Sequence, residues 1–380
     1  MNSADFAYLS SVDPLDKRAW SGTHFSIYST IESQVGSITA LGPYQPLLSN
    51  WLGKIRTGLS QKITGKRFDY RHSQLVSNSF ALYFEKKLKQ NKFDYIVAPA
   101  ASCELAYLNT TLPIVYISDT TFKRSLGYHK ALTGLSNKSI READEIERKA
   151  LEKSHKIIVS SHWAAESVIK DYAIDEKRVF VIPFGPNMAQ IPERTHLKRK
   201  FNENKVQLLF PAVYWDNKGG DYAVNCLIEL QKLNIEASLT VVGCVPPEKA
   251  RSIRGLQFVP YLNKNNPSDL IKMQELFLQA DFLILPTRFD CTPIVFCEAS
   301  AFGLPSLCSD TGGVRGHITE GINGYLFDYY DNGEGYAKKI IEILRKPEEY
   351  AELRKSSRNY YEEKLNWHNW ASEFKKIISS

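Results

Sequence analysis

Short runs of β-branched and aromatic residues recur along the 380-residue chain, at FAYLSS, GSITALG, DYIVA, PIVYIS, KIIVSS and VFVIP, with helical spacing of apolar residues between most of them. No other feature limits the fold as tightly, because strands joined through helices lie parallel in a sheet that the helices cover. After the polar stretch NMAQIPERTHLKRKFNENK, from Asn187 to Lys205, the alternation restarts with VQLLFPAVY, ASLTVVG, LQFVP, DFLILP and LPSLC. The chain is therefore expected to form two α/β domains in series, over 1–186 and 187–365. Ligands of such sheets gather at the carboxyl ends of the strands, which predicts a cleft between the domains. The tail reads as two helices, EEYAELRKSSRNYYEEKL and WHNWASEFKKIIS, the second of which, about 366–380, is expected to pack back on the first domain.

Composition narrows the class without choosing a function. Hydrophobic residues at 43% and charged residues at 24% fit a globular protein and exclude disorder, collagen and coiled coil. Six cysteines, at 103, 226, 244, 291, 297 and 308, form no C-x-x-C pair and read as reduced thiols of a cytoplasmic protein. The first residues lack a leader pattern, and no apolar run reaches the roughly 18 residues of a spanning helix. The net charge of +6 lies wholly in residues 1–190, where 24 Lys and Arg face 18 Asp and Glu, and the basic segments there must account for it.

One such segment is LLSNWLGKIRTGLSQKITGKRF, from Leu47 to Phe68, which holds Lys54, Arg56, Lys62, Lys66 and Arg67 and no acid. Leu48, Trp51, Leu52, Ile55, Leu59 and Ile63 share one helical stripe. An interfacial helix at the inner face of a membrane has this pattern, and so does a domain helix that buries its apolar side. No nucleic-acid partner is indicated.

The most informative stretch runs from Asp281 to Asp328. ADFLILPTRFDCTPIVFCEASAFGLPSLCSDTGG reads as strand, loop, helix, strand and diglycine turn, with Thr292 as N-cap and Pro293 as first helical residue. The amino end of that helix follows a strand, an arrangement suited to phosphate. Glu298 is the only charged residue between Cys291 and Ser309, and a buried carboxylate needs donors. Sugar hydroxyls or a neighbouring Lys or Arg would both supply them. Asp290 stands eight residues earlier, near the helix entrance.

These residues resemble the signature of retaining glycosyltransferase family 4, whose two acids are separated by seven residues. The resemblance implies the GT-B fold, α/β with two Rossmann-like domains that face each other across a cleft. By resemblance, Glu298 holds the nucleotide ribose and Asp290, where the family usually has Glu, contacts the donor sugar. Cys291, Thr292, Pro293 and Ile294 then line the donor's sugar and phosphate, with the amide of Ile294 as donor because Pro293 has none. The diglycine Gly312–Gly313 and the later GINGYLF also match, whereas Gly316 stands where many members carry Glu. LLFPAVYWDNKGGDYAV resembles the strand and helix that open the second domain, so Lys218 neutralises the diphosphate. Val213 replaces a frequent Arg, which leaves Arg288 or Arg315 as the second cation. The stretch FVPYLNK resembles the strand that lines the base pocket, with Tyr261 and Leu262 as candidates.

In the first domain, Ser21 or Gly22 opens a helix at the carboxyl end of the first strand, and many family members place a glycine-bearing loop there. Asp119 takes the place of a frequent His after PIVYIS, where it contacts a donor hydroxyl or an acceptor, or else caps TTFKRS as a turn residue. The catalytic set implied is Asp290, Lys218 and Asp119. No D-x-D pair or His-Cys cluster has metal-ligand spacing, so neither metal nor other cofactor is expected beyond a nucleotide-sugar co-substrate. The implied activity is transfer of a hexosyl group to a glycan or lipid-linked acceptor, as in polysaccharide biosynthesis. The alternatives are an epimerase or phosphorylase on the same fold, or a catalytically silent partner subunit, for which the departures at Asp290, Val213, Asp119 and Gly316 speak together.

Overall fold

A computed structural model describes residues 4–188, 190–197, 202 and 204–380. Residues 189, 198–201 and 203 of the expected polar linker lie outside the described residues. The chain divides into two units, Met1–Ile182 with Ala371–Ser380, and Pro183–Trp370.

The first unit holds β1 (Asp5–Tyr8), β2 (Ser37–Ala40), β3 (Tyr95–Pro99), β4 (Ile114–Ser118), β5 (Lys156–Val159) and β6 (Val179–Val181). All pair in parallel, in the order β2-β1-β3-β4-β5-β6. The central strands are buried on both faces, which is why they read as continuous apolar runs. The order reverses between β1 and β3, so the loops that leave these two strands diverge. The end of the tail belongs here: the Phe374 ring lies 6.1 Å from Phe6, and the Tyr95 hydroxyl donates to the Ile378 carbonyl at 3.1 Å.

The second unit holds β7 (Lys205–Pro211), β8 (Glu236–Val242), β9 (Leu256–Val259), β10 (Phe282–Leu285), β11 (Ser306–Ser309) and β12 (Gly324–Phe327), in the order β12-β11-β10-β7-β8-β9. Here the order reverses between β7 and β10. Phe184 is buried and stacks on Trp367 at 5.8 Å, which places the crossing at Pro183 rather than after residue 186.

The helix Leu47–Thr64 is turned the opposite way from an ordinary amphipathic helix. Its buried residues are Ser49 and Gly53, the first hydrogen-bonded to Ser79 at 2.5 Å between hydroxyl oxygens. At Gly53 a β-carbon would come within 2.5 Å of Tyr70 Cβ, so only glycine allows this approach. Arg56 also binds inward, to Glu142 at 2.6 Å and over the Phe68 ring. The apolar stripe faces outward, with Leu48 70%, Trp51 59%, Leu59 53% and Ile63 79% exposed. The expectation that a domain helix buries its apolar side fails for this helix, because small and polar residues make its close contact.

Candidate functional site

The loops after β7 and β10 leave neighbouring strands at the reversal of the second sheet, and they are bound to each other. The Arg288 amide donates to the Asn217 carbonyl at 2.8 Å, and the Thr287 hydroxyl reaches the same oxygen at 3.3 Å. Lys218 ends the short helix Trp215–Lys218, and Gly219 follows in the left-handed region at φ 75°. A β-carbon at Gly219 would lie 1.9 Å from the Pro286 carbonyl oxygen, so glycine alone lets the two loops meet. That approach sets the Lys218 ammonium in an ion pair with Asp290, whose side chain is 9% exposed.

Downstream, the helix spans Ile294–Ala301 with Pro293 as N-cap and no side-chain cap, which corrects the expected start at Thr292. The Ile294 amide is engaged, donating to the Thr292 carbonyl at 2.9 Å across a tight turn at Pro293. The assignment of that amide to a donor phosphate is therefore not available in this conformation. Cys291 and Pro293 are buried and Thr292 half-buried beside them. The Gly313 amide donates to the Asp290 carbonyl at 3.0 Å, which fastens the diglycine turn to the same loop.

Glu298 is buried, as its apolar surroundings in sequence require, and Lys264 donates to its Oε1 at 2.6 Å, the side chains being 5% and 17% exposed. Of the two possible donors named from sequence, the structure holds the lysine. No other hydrogen bond from the described residues reaches this carboxylate, and a carboxylate has about four acceptor positions. Lys264 lies in the loop after β9, as do Tyr261 and Leu262. Those two residues therefore do not sit on the strand expected for them; Tyr261 is exposed and Leu262 packs against the core.

The two cations proposed for a second phosphate contact are committed elsewhere. Arg288 is clamped by the carbonyls of Pro286 and Tyr329 and by the Ser309 hydroxyl, with its guanidinium between the Tyr222 and Tyr329 rings at 4.2 and 4.3 Å. Arg315 pairs with Asp310.

In the first unit, Gly22 caps the helix Thr23–Gln34 at φ 95° and is preceded by Trp20 and Ser21, also left-handed at φ 47° and 57°. Two such non-glycine residues cost about 1–3 kcal/mol each. The Trp20 indole donates to Asp119 Oδ2 at 3.2 Å, and its ring lies 5.5 Å from His24. His24 is buried, shares a 2.8 Å hydrogen bond with the Tyr8 hydroxyl, and burial pushes its pKa down to about 4. The short helix Phe122–Ser125 that follows is capped by Thr121, which accepts from the Arg124 amide at 3.2 Å.

Two family models match the chain in succession, Glycosyltransferase Family 4 over residues 53–190 and Glycosyl transferases group 1 over residues 193–360. The chain belongs to glycosyltransferase family 4. Among its relatives, a D-inositol 3-phosphate glycosyltransferase of Geodermatophilus obscurus is 24% identical over 217 residues, 53% of this chain and 48% of that protein. Spore coat protein SA of Bacillus subtilis is 29% identical over 121 residues, 31% of each. The chain spans about half the length, or less, of these curated relatives. Among solved structures, sucrose-phosphate synthase of Thermosynechococcus elongatus has a TM-score of 0.67 at 14% identity, covering 99% of this chain and 98% of that one. WaaG, a glycosyltransferase of lipopolysaccharide biosynthesis, has a TM-score of 0.65 at 18% identity, covering 99% and 100%. HepE of Anabaena, solved with UDP and glucose, has a TM-score of 0.65 at 11% identity and covers 99% of each chain. These likenesses show the GT-B fold.

For this family 4 member the sequence pointed to Lys218, Asp290 and Glu298, and the second unit brings the first two into contact. It gave no sign of Lys264, a lysine in an unremarkable polar loop. It also passed over Glu104 and Glu147 of the first unit, both buried. Glu104 accepts from the Ser11 amide at 3.2 Å, while Glu147 accepts from the Tyr116 hydroxyl at 3.2 Å and is pushed by burial up to about 7. Glu104 stands in ASCELAYL, alone among apolar and small residues, the same signal that singled out Glu298. Among the described residues no group of three or more His, Cys, Asp or Glu side chains is placed to hold a metal, and no helix is long and apolar enough to cross a membrane.

Proposed function

We propose that this chain transfers a sugar from a nucleoside-diphosphate sugar to a glycan or lipid-linked acceptor, with retention of the anomeric configuration and without a metal. The observation that carries this is the Lys218–Asp290 ion pair at the strand reversal of the second unit, with Glu298 eight residues further on. A cation and a carboxylate held together there are matched to two parts of one ligand. Lys218 turns to the diphosphate, on which negative charge grows as the glycosidic bond breaks, and Asp290 accepts from a sugar hydroxyl. The ribose hydroxyls donate to the acceptor positions of Glu298 that Lys264 leaves open. No protein nucleophile is assigned. The acceptor attacks on the face the diphosphate leaves, and a phosphate oxygen takes its proton. Asp119, whose Oδ2 accepts from the Trp20 indole, is assigned to a donor hydroxyl or an acceptor.

We further propose that the first unit works at the cytoplasmic face of a membrane through the helix Leu47–Thr64. Its exposed apolar stripe carries Lys54 and Lys62 on or beside it, and the segment has no acid, a complement to anionic lipid.

The test is incubation with a panel of nucleoside-diphosphate sugars, following nucleoside diphosphate release and the anomer of the product. Release with a retained anomer supports the proposal, and an inverted anomer contradicts its stereochemistry. A second reading, favoured by the lysine already paired with each acid, is a nucleotide-binding subunit that never consumes donor. It predicts nucleotide binding with no release.

A further inference from the structure

Of the ion pairs among the described residues, Lys264–Glu298 is the most deeply set, its side chains 17% and 5% exposed. Its two ends come from distant parts of the second sheet. Glu298 stands on the helix after β10 and Lys264 in the loop after the edge strand β9, and three strand spacings, about 14 Å, lie between those strands. The loop is thus drawn back toward the middle of the sheet, where the strand order reverses and where ligands of such folds bind. The turn that carries the lysine is fixed at both ends. The Asn266 amide donates to the Asn263 carbonyl at 2.8 Å, which closes a β-turn with Lys264 as its second residue. The Asn263 amide donates to Asp269 at 2.8 Å, and Asn266 caps the helix Pro267–Gln279.

The pair is satisfied only in part by the described residues. The Lys264 ammonium has three donors and uses one, on Glu298 Oε1 at 2.6 Å, while that carboxylate has about four acceptor positions of which this is the one filled. Donors and acceptors left over side by side in so sheltered a place are costly without partners. A hydroxyl both donates and accepts, so it fits beside such a pair, and a vicinal diol supplies two.

We infer that Lys264 is a second ribose-binding residue, donating to the oxygens of the 2′ and 3′ hydroxyls while Glu298 accepts from their hydrogens. The pair therefore selects ribonucleotides against forms that lack the diol. The inference rests on the assignment of Glu298 to the nucleotide ribose made above.

The experiment is calorimetric titration of the full chain with ADP, GDP, CDP and UDP and with their 2′,3′-dideoxy counterparts. Wild type is expected to bind one ribonucleotide about 100-fold more tightly than its dideoxy form, through hydrogen bonds to charged groups. Lys264→Met keeps the stem and loses the donors. It should cut that ratio about tenfold, with the dideoxy form bound within about twofold of its wild-type affinity. The same substitution in a Glu298→Gln background, where no carboxylate needs a counter-charge, should still lower the ratio severalfold. That background also serves should Lys264→Met, with its carboxylate left unpaired, not fold. A ratio unchanged by Lys264→Met, or lowered by it only where Glu298 is present, overturns the inference, because the lysine then serves as a counter-charge alone. Equal affinity of wild type for the ribose and dideoxy forms instead defeats the ribose assignment of Glu298, and no binding of any of the four defeats the donor reading; in both cases the inference falls with it.

Discussion

Two helices of this chain, Leu47–Thr64 and Ile294–Ala301, both announce themselves by apolar residues, and they are buried in opposite ways. Along Ile294–Ala301 every residue but Val295 is buried, a glutamate included. Along Leu47–Thr64 only Ser49 and Gly53 are buried, and the leucines, isoleucines and tryptophan face outward. Apolar spacing reports that a helix has a distinct side, but the residues across from it decide which side turns in. In the second case Tyr70, Ser79 and Glu142 offer a flat ring and polar partners, which suit a glycine, a serine and an arginine better than a row of leucines.

The contrast is most sharply tested by truncating a matching aromatic in each helix. Phe296→Ala, within the buried helix, is expected to cost about 3–5 kcal/mol in chemical denaturation. A loss below about 1 kcal/mol would mean that the helix is not the packed element described. Next in size is Lys218→Ala, whose turnover should fall roughly 100-fold or more if, as proposed, the ammonium that pairs with Asp290 turns to the leaving diphosphate. A drop confined to KM would place Lys218 in binding alone.

Acids show the same dependence on what lies across from them. Glu298 has Lys264 beside it, whereas Glu147 has a tyrosine hydroxyl and a pKa raised by burial to about 7 from 4.5. Between those values the folded state holds the proton more tightly than the unfolded chain. The stabilising contribution is full below pH 4.5 and is lost as pH rises through about 7. Glu147→Gln is therefore expected to stabilise the protein at pH 8.5 by up to roughly 3 kcal/mol, and to do little at pH 5. Equal effects at both pH values would exclude a buried, protonated carboxyl. The smallest stability effect belongs to the outward helix. Trp51→Ala should stay within about 0.5 kcal/mol of wild type, yet weaken flotation with anionic liposomes. Flotation that ignores lipid charge would remove the membrane assignment.

Much of the fold was legible because strands buried on both faces must be apolar and β-branched throughout. Each of the eleven runs picked out in the sequence falls on a strand, from Asp5–Tyr8 to Ser306–Ser309. The twelfth, Gly324–Phe327, is a short edge strand of partly exposed residues and left no such run. At the candidate site, Lys218 and Gly219 were visible as a pair, but that glycine's reason, the Pro286 carbonyl on another loop, is a contact in space. Lys264 was invisible for the same cause, since nothing in FVPYLNK marks it as the partner of a glutamate 34 residues away. Trp20 and Asp119, separated by 99 residues, meet only once the first sheet is formed.

The most direct test of the whole account is thermal unfolding with a panel of nucleoside diphosphates and their sugars, run on wild type and Glu298→Ala side by side. One nucleotide should raise the wild-type midpoint in a concentration-dependent way, and Glu298→Ala should abolish that rise while remaining folded. A rise of equal size in Glu298→Ala, or no rise with any nucleotide, would mean that the carboxylate serves only its lysine and that the second unit does not grip a donor through it.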